Sequence, residues 1–189
     1  MADRILAAVR EGREVCAAFY GHPGVFVDPS HDAVTRARAE GFEARMLPGI
    51  SAEDCLFADL GIDPAEFGCQ AFEATSFLFY RREWDPAASL ILWQVGVVGD
   101  HTLKRREPAP EAVAALRDKL LARYPPQHQV AIYEAATSPF VDSRNEWMPL
   151  EDLGEAVFSG ISTLFVPAYG RPAFDETVLE RLHLLPEEI

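Results

Sequence analysis

Two short turns rich in glycine and proline are the parts of this sequence best suited to binding chemistry. Gly-His-Pro-Gly at residues 21–24 lies in the stretch 19–26, which directly follows an apolar run at residues 15–18, and Pro-Gly-Ile-Ser at residues 48–51 comes one predicted helix and one predicted strand later. A turn of this kind at the carboxyl end of a strand exposes backbone amides where an open α/β sheet binds its ligand. Two such turns in register predict one crevice for a small molecule.

The first turn differs from a dinucleotide-binding loop. It is short and contains a proline, whereas the GxGxxG fingerprint needs three spaced glycines that open a helix. Gly21 and Gly24 let a ligand approach the backbone, Pro23 stiffens the turn, and Tyr20 can pack or hydrogen-bond at its rim. A purely structural bend explains this turn alone equally well, but its pairing with the second turn favours a binding site.

Three polar side chains are further candidates. His22 belongs to the residue type that titrates near neutral pH. However, no carboxylate adjoins it in sequence and no nucleophile motif accompanies it, so a ligand-lining role is favoured over that of a general base. Ser51 is typical of a helix N-cap, and a helix N-terminus also offers free amides to a polar ligand. Gln94 ends a strand before Gly96 and can reach into a cleft, whereas Trp93 is interpreted as a core residue.

Composition and charge exclude several classes of function. The 189 residues include 17 Lys and Arg against 30 Asp and Glu, a net charge of −13, which disfavours nucleic-acid binding. Neither a run long enough to span a bilayer nor a signal-peptide pattern is present, so we predict a cytoplasmic protein without a membrane partner. Cys16, Cys55 and Cys69 lack metal-type spacing, so no metal site is predicted. Cys16 and Cys55 are expected in the core.

The first half alternates helices and strands. Helices are predicted over residues 2–11, 31–40 and 52–60, with Ser30 and Ser51 as caps, and strands over residues 14–19 and 42–47. This alternation predicts a parallel sheet with right-handed crossovers.

The second half has a different pattern. Strands are predicted over residues 70–74, 89–95, 129–134 and 162–167, a helix over residues 110–124, an extended stretch at 147–150 that leads into a short helix, and a helical pattern at 174–185. These elements indicate a mixed, partly antiparallel sheet. The predicted fold class is α/β, with one domain over residues 1–65 and a mixed-sheet domain over residues 66–189.

Four segments carry a resemblance to a known family. Residues 20–30, 46–64, 68–70 and 92–95 resemble the tetrapyrrole methylase superfamily, and within it the borosin branch of peptide backbone α-N-methyltransferases. The resemblance is dense over residues 11–99 and extends more thinly through residues 161–167. It implies S-adenosylmethionine (SAM) bound in a cleft between an N-terminal α/β domain and a C-terminal mixed domain, usually in a homodimer. Carried over by position, the residues that line the cofactor are Tyr20, His22, Val25, Ser51, Ala52, Gln94 and Thr163.

The same resemblance predicts a truncated N-terminal domain. Members of the superfamily begin with a further strand, a glycine-rich turn and helices, and in the borosin branch this region carries a Tyr and Arg motif implicated in deprotonating the amide. Met1 aligns with a methionine inside the helix that follows, so the catalytic motif is expected to precede Met1. A miscalled start codon is favoured over a part supplied by another chain or a degenerate remnant. Residues 1–189 alone are therefore expected to have little activity.

Peptide backbone N-methylation is the leading functional hypothesis from the sequence. The alternatives are a tetrapyrrole or other small-molecule methylase, and a binding or dimerisation protein that keeps the cofactor cleft without turnover. The sequence reaches residues 187–189 without an apolar tail that resembles a core peptide. The expected substrate is therefore a separate peptide chain.

Overall fold

The computed structural model describes residues 1–102, 104–105 and 107–185. The chain forms two compact units, Met1–Asp59 and Leu60–Ile189. The division after residue 65 that the sequence indicates stays a prediction for the domains.

The first unit is built on three helices. They are α1 (Ala2–Arg10), α2 (Asp28–Ala39) and α3 (Ala52–Leu60), the last of which ends at the boundary of the unit. Leu6 of α1, Ala33 and Ala37 of α2 and Leu56 of α3 are buried, as expected for the inward faces of amphipathic helices. The glycines that follow the three helices all have left-handed backbone angles, which are typical of residues that end a helix: Gly12, Gly41 and Gly61.

The two strands predicted in the first half are not strands in the described residues. Residues 14–19 and 42–47 pair with no other segment there, so the predicted parallel sheet of this half is not observed. The apolar run at residues 15–18 is exposed, and the interpretation of Cys16 as a core residue is therefore wrong, whereas Cys55 is half-buried. The physical reason is that a strand is stabilised by hydrogen bonds to a neighbouring strand, which local sequence pattern does not supply.

The start of α2 also differs from the prediction. The helix begins at Asp28, after Val27, rather than with Ser30 as its cap. Pro29 lies in the first turn, where its missing N–H costs nothing and its fixed φ suits a helix. The buried Ser30 hydroxyl instead lies inside the helix and donates to the carbonyl oxygens of Val27 and Pro23.

The second unit contains a five-stranded sheet with the order β1-β2-β5-β3-β4. Its strands are β1 (Cys69–Glu73), β2 (Ser89–Trp93), β3 (Gln129–Glu134), β4 (Arg144–Pro149) and β5 (Thr163–Val166). Strands β1 and β2 are parallel, and the other neighbouring pairs are antiparallel. The mixed, partly antiparallel sheet predicted for this half is thus confirmed.

Helices complete the second unit. They are α4 (Pro64–Phe67), α5 (Ala74–Phe79), α6 (Pro110–Leu121) and α7 (Glu176–Leu182), with two 3-10 turns at Val95–Val97 and Leu150–Glu155. The hydrophobic core joins α5 and α6 to one sheet face, where Leu92 of β2, Ile132 of β3 and Leu164 of β5 are fully buried. Burial of each such side chain contributes about 1.5–3 kcal/mol. Trp93 is also buried, as predicted.

Two features are absent from the described residues. None of their helices has the length and apolar character needed to cross a membrane. Within the same residues, no three His, Cys, Asp or Glu side chains cluster as potential ligands of one metal ion.

Candidate functional site

The two glycine-proline turns touch each other within the first unit. A Cβ placed on Gly49 would lie 3.2 Å from the carbonyl oxygen of Gly21 and 3.5 Å from the Cα of His22. Gly21 has a φ of +70°, and a Cβ placed there would lie 3.6 Å from the carbonyl oxygen of Ile50. The absence of a side chain at Gly49 thus permits the close approach of the two turns, while Gly21 is favoured by its left-handed φ.

The His22 ring organises the first turn. Its Nδ1 accepts a hydrogen bond of 2.9 Å from the N–H of Gly24. A Cβ placed on Gly24 would lie 3.2 Å from Cε1 of His22 and 2.8 Å from Sδ of Met46, so a side chain at this position would push against both. Because Nδ1 is already an acceptor inside the turn, the geometry favours a lining role for His22 over that of a general base.

Ser51 and Asp54 form a capping box at the start of α3. The Ser51 hydroxyl accepts from the N–H groups of Glu53, at 3.2 Å, and Asp54, at 3.4 Å. In return, Asp54 Oδ2 accepts from the Ser51 N–H at 2.6 Å and from its hydroxyl at 2.9 Å. The predicted cap is confirmed, and these hydrogen bonds, first from the Ser51 backbone and then from its side chain, lower the pKa of Asp54. The ionised carboxylate makes this helix terminus better suited to a neutral polar group than to a phosphate.

Replacement of the cap gives a first testable prediction. Ser51→Ala removes the acceptor for two amides and is expected to lower the free energy of unfolding by about 1 kcal/mol. Ser51→Asn keeps a capping side chain and is the matched control, expected to retain most of that stability. Urea unfolding followed by circular dichroism measures both variants. Equal losses in the two variants would contradict a capping role.

Apolar side chains stand exposed around the two turns. Tyr20 is 78% exposed, and Ala52 at the start of α3 is also exposed. Other large apolar residues of this region share that exposure: Val25, Phe26, Leu47 and Ile50. Apolar residues gathered at the surface are typical of a binding site or an interface.

Gln94 occupies a strained turn at the end of β2 in the second unit. Its φ of 59° and ψ of 33° are left-handed, a conformation that costs a residue other than glycine on the order of 1–3 kcal/mol. The turn is fixed by a hydrogen bond of 3.1 Å from the N–H of Val95 to the carbonyl oxygen of Ser162. The predicted strand over residues 89–95 therefore ends at Trp93, because the backbone reverses its hand at Gln94.

Thr163 lies close to the same turn. It is the first residue of β5, is buried, and pairs with Tyr133 of β3. Strands β2 and β5 are antiparallel with Leu92 opposite Leu164, so the end of β2 meets the start of β5. The structure thus brings Gln94 and Thr163 together in the second unit, while the other five candidates lie in the first: Tyr20, His22, Val25, Ser51 and Ala52.

A carboxylate that the sequence analysis missed lies beside this turn. Glu134 ends β3, and its Oε1 accepts hydrogen bonds from Ser162 Oγ at 2.6 Å, Ser159 Oγ at 2.8 Å and Arg144 Nη1 at 3.0 Å. Burial alone raises the pKa of Glu134, but the hydrogen bonds from Ser162, Ser159 and Arg144 outweigh burial and bring that pKa below its ordinary value of 4.5. The signal that could have pointed to Glu134 is its place as a charged residue directly after the four buried strand residues 130–133.

The lowered pKa of Glu134 predicts an acid-dependent stability. A carboxyl whose pKa is lower in the folded state stabilises the protein above its unfolded pKa, and this contribution is lost as the pH falls through the folded pKa. We therefore expect the free energy of unfolding to fall below about pH 4.5, and to fall less steeply in Glu134→Gln. Urea unfolding between neutral and acid pH measures this difference. Glu146→Gln is the control, because Glu146 is a neighbouring carboxyl that also contacts Arg144. Parallel pH curves of the unfolding free energy for the wild type and Glu134→Gln would contradict the prediction.

Comparison with curated proteins gives a consistent set of relatives. The chain is 42% identical over 190 residues to the methyltransferase/ribosomally synthesized cyclic peptide dendrothelin A precursor of Dendrothele bispora, covering 98% of this chain and 46% of the relative. It is 41% identical over 190 residues to the corresponding omphalotin A precursor of Omphalotus olearius, with the same coverages of 98% and 46%. This chain spans less than half the length of these relatives.

Solved structures identify the fold. Uroporphyrin-III-C-methyltransferase from Thermus thermophilus matches with a TM-score of 0.61 and 21% identity, over 97% of this chain and 74% of that chain. A crystal form of that enzyme complexed with S-adenyl homocysteine matches with a TM-score of 0.61 and 16% identity, over 88% of this chain and 68% of that chain. Cobalt precorrin-4 methyltransferase matches with a TM-score of 0.64 and 13% identity, over 88% and 69%. These likenesses confirm the predicted two-domain α/β fold class of the tetrapyrrole methylases.

The family model for Tetrapyrrole (Corrin/Porphyrin) Methylases matches residues 1–153. Because this match spans most of the sequence and the curated relatives align with nearly all of it, the chain belongs to the tetrapyrrole methylase family.

Proposed function

We propose that this chain forms the SAM-binding part of a methyltransferase that methylates backbone amides of a peptide. The observation that carries the proposal is the identity of 42% over 98% of the chain to a protein named as a methyltransferase joined to a ribosomally synthesized cyclic peptide precursor. The family of the chain and the contact between its two glycine-proline turns support the same conclusion.

The proposed cofactor residues have side chains that suit SAM. Tyr20 and Thr163 carry hydroxyls, and the Gln94 amide can both donate and accept hydrogen bonds, as the adenine and ribose parts of the cofactor require. The Ser51 hydroxyl is engaged in the cap of α3, so the proposed part of Ser51 is to place the backbone at the start of that helix. Exposed Val25 and Ala52 offer apolar surface to the adenine ring. His22 would support the residues around the first turn through its hydrogen bond to Gly24. The capped start of α3, with its ionised Asp54, fits a ligand without phosphate groups.

The chemistry divides between the cofactor and the chain. SAM supplies a methyl group activated by a positively charged sulfur, so methylation forms a nitrogen–carbon bond, breaks the sulfur–carbon bond and releases the amide proton to a base. The residues proposed here bind and orient the methyl donor, which lowers the barrier by holding the reacting atoms in a near-attack geometry. The Tyr and Arg motif expected to remove the proton stays a prediction.

Peptide substrate and assembly are parts of the same proposal. The relatives named above join a methyltransferase to a cyclic peptide precursor, which supports a peptide as the substrate class. That this peptide is a separate chain, and that the enzyme works as a homodimer, stay predictions. Tetrapyrrole methylation is the competing activity, and the net charge of −13 does not favour the carboxylate-rich tetrapyrroles.

Mass spectrometry of the methylated product tests the proposed activity. The protein expressed from its natural gene is incubated with SAM and, in separate reactions, with an apolar peptide rich in Val and Ile or with uroporphyrinogen. We expect increments of about 14 Da, one methylene each, on the peptide alone, and fragment ions that place them on backbone nitrogens. Methylation of uroporphyrinogen alone would establish the competing activity. No methylation of either substrate by a protein that binds SAM would overturn the catalytic part of the proposal.

A further inference from the structure

We propose that Glu134 is a positioning residue for the cofactor, because it holds residues 159–162, here called the 159–162 loop, against the turn at Gln94. This inference rests on the proposed function, in which Gln94 and Thr163 contact SAM. Glu134, the 159–162 loop and the turn at Gln94 all lie inside the second unit.

The 159–162 loop is attached to the carboxylate of Glu134. Both serines of the 159–162 loop, Ser159 and Ser162, donate their hydroxyls to Oε1 of Glu134, at 2.8 and 2.6 Å. The side chain of Glu134 is only 17% exposed, so these charge-assisted bonds are poorly replaced by water. Glu134 lies 25 residues or more from either serine in sequence and thus joins β3 to a distant loop.

Hydrogen bonds within the 159–162 loop hold its backbone in place. The Ser159 N–H donates to Ser162 Oγ at 2.8 Å, and the Ser162 N–H donates to the carbonyl oxygen of Ser159 at 3.1 Å. Ser162 Oγ therefore accepts from the loop backbone while it donates to Glu134, so one hydroxyl ties the loop to the strand. Arg144 adds a second tie, because it donates to Glu134 at 3.0 Å and to the carbonyl oxygen of Val157 at 2.8 Å, two residues before the loop.

The 159–162 loop contacts the turn at Gln94 through two backbone carbonyls. The carbonyl oxygen of Ser162 accepts from the N–H of Val95 at 3.1 Å. The carbonyl oxygen of Ser159 lies so close to Gly96 that a Cβ placed there would be 1.7 Å away. These two carbonyls hold the residues directly after Gln94, whose left-handed φ of 59° persists only where the surroundings enforce it.

The consequence concerns both proposed cofactor residues of the second unit. Thr163 follows Ser162 directly, and Gln94 precedes Val95, so a displaced loop moves the backbone at both residues. The network is itself buried, since Ser162 is fully buried and the Glu134 side chain is only 17% exposed, so loss of the carboxylate also costs stability. We therefore expect weaker cofactor binding in Glu134 variants that remain folded.

Titration calorimetry with S-adenosylhomocysteine tests this role on folded protein. Glu134→Ala is expected to raise the Kd roughly tenfold or more, since it removes hydrogen bonds to a charged group. Glu134→Gln keeps one acceptor oxygen and is expected to show a smaller increase. Glu146→Ala is the matched control, because Glu146 shares Arg144 with Glu134 but bonds neither serine, and its Kd should equal that of the wild type.

A double-mutant cycle separates positioning from general destabilisation. If Glu134 acts through the turn, Glu134→Gln should raise the Kd by a smaller factor in a Gln94→Gly background than in the wild type. All titrations are made at a temperature where circular dichroism shows each variant folded. If Glu134→Ala binds S-adenosylhomocysteine with the same affinity as the wild type, the positioning role is overturned and the proposed function stays intact. Failure of folded wild type to bind S-adenosylhomocysteine would overturn both.

Discussion

Gly96→Ala is expected to cost about 3 kcal/mol or more of unfolding free energy. The new Cβ would lie 1.7 Å from the carbonyl oxygen of Ser159 and 2.8 Å from its carbonyl carbon. The obstacle is backbone, so it cannot rotate away as a side chain could, and overpacking of this kind typically costs 1–3 kcal/mol, occasionally more. Relief requires the 159–162 loop to move, which also breaks the bond from Val95 to Ser162.

Gly160→Ala is the matched control for this substitution. Gly160 lies in the same loop, has no left-handed φ, and a Cβ placed there meets nothing within 4 Å. Its unfolding free energy should stay within about 0.5 kcal/mol of the wild type. Urea unfolding, with soluble yield as a second readout, compares the two variants. Similar stabilities for Gly96→Ala and Gly160→Ala would show that the loop and the turn are not in close contact.

Gln94→Gly is expected to separate stability from binding. Glycine adopts the left-handed φ of 59° without strain, which favours the folded state, although its freedom in the unfolded chain offsets part of the gain. The net change expected in the unfolding free energy is a gain of up to about 1 kcal/mol. In contrast, loss of the amide should weaken binding of S-adenosylhomocysteine by roughly tenfold, as expected for one or two hydrogen bonds.

The comparator for this substitution is Gln94→Asn. Asparagine tolerates left-handed angles and keeps the amide on a shorter side chain, so we expect intermediate affinity with little change in stability. Calorimetry and urea unfolding on the same preparations measure both properties. Wild-type affinity in Gln94→Gly would remove Gln94 from the proposed site, and a clear loss of stability would contradict the strain assigned to its backbone.

Local patterns predicted the second half of the fold well. The limits of β3 (Gln129–Glu134) agree with the prediction, because its central residues are buried on both faces and a proline pair precedes it at residues 125–126. Helix α5 was missed because its aromatic and threonine residues are typical of a strand. Its start depends on Glu73, whose carboxylate accepts from the N–H groups of Thr75 and Ser76.

The first half shows where local patterns fail. Residues 42, 44 and 46 are half-buried while residues 43, 45 and 47 are exposed, which keeps the two-residue period of a strand without any partner strand in the described residues. Pairing is decided by a neighbour distant in sequence, which periodicity cannot supply. Ser30 was misassigned because the cap preference of serine was given more weight than Pro29 in the first turn.

The candidate site was predictable only in part. The turns were found because glycine and proline mark them locally, and the Ser51 cap because serine is favoured directly before a helix. Glu134 could not be assigned, since its role depends on Ser159, Ser162 and Arg144, which the fold rather than the sequence places around one oxygen.

Titration of the purified chain with S-adenosylhomocysteine tests the central claim most directly. The proposed function predicts a saturable heat with one site per chain, and no comparable heat with an adenosine nucleotide, because the Ser51 and Asp54 cap disfavours phosphate. Circular dichroism on the same sample establishes that the protein is folded. A folded chain that gives no heat with S-adenosylhomocysteine would contradict the proposal that these turns bind the methyl donor.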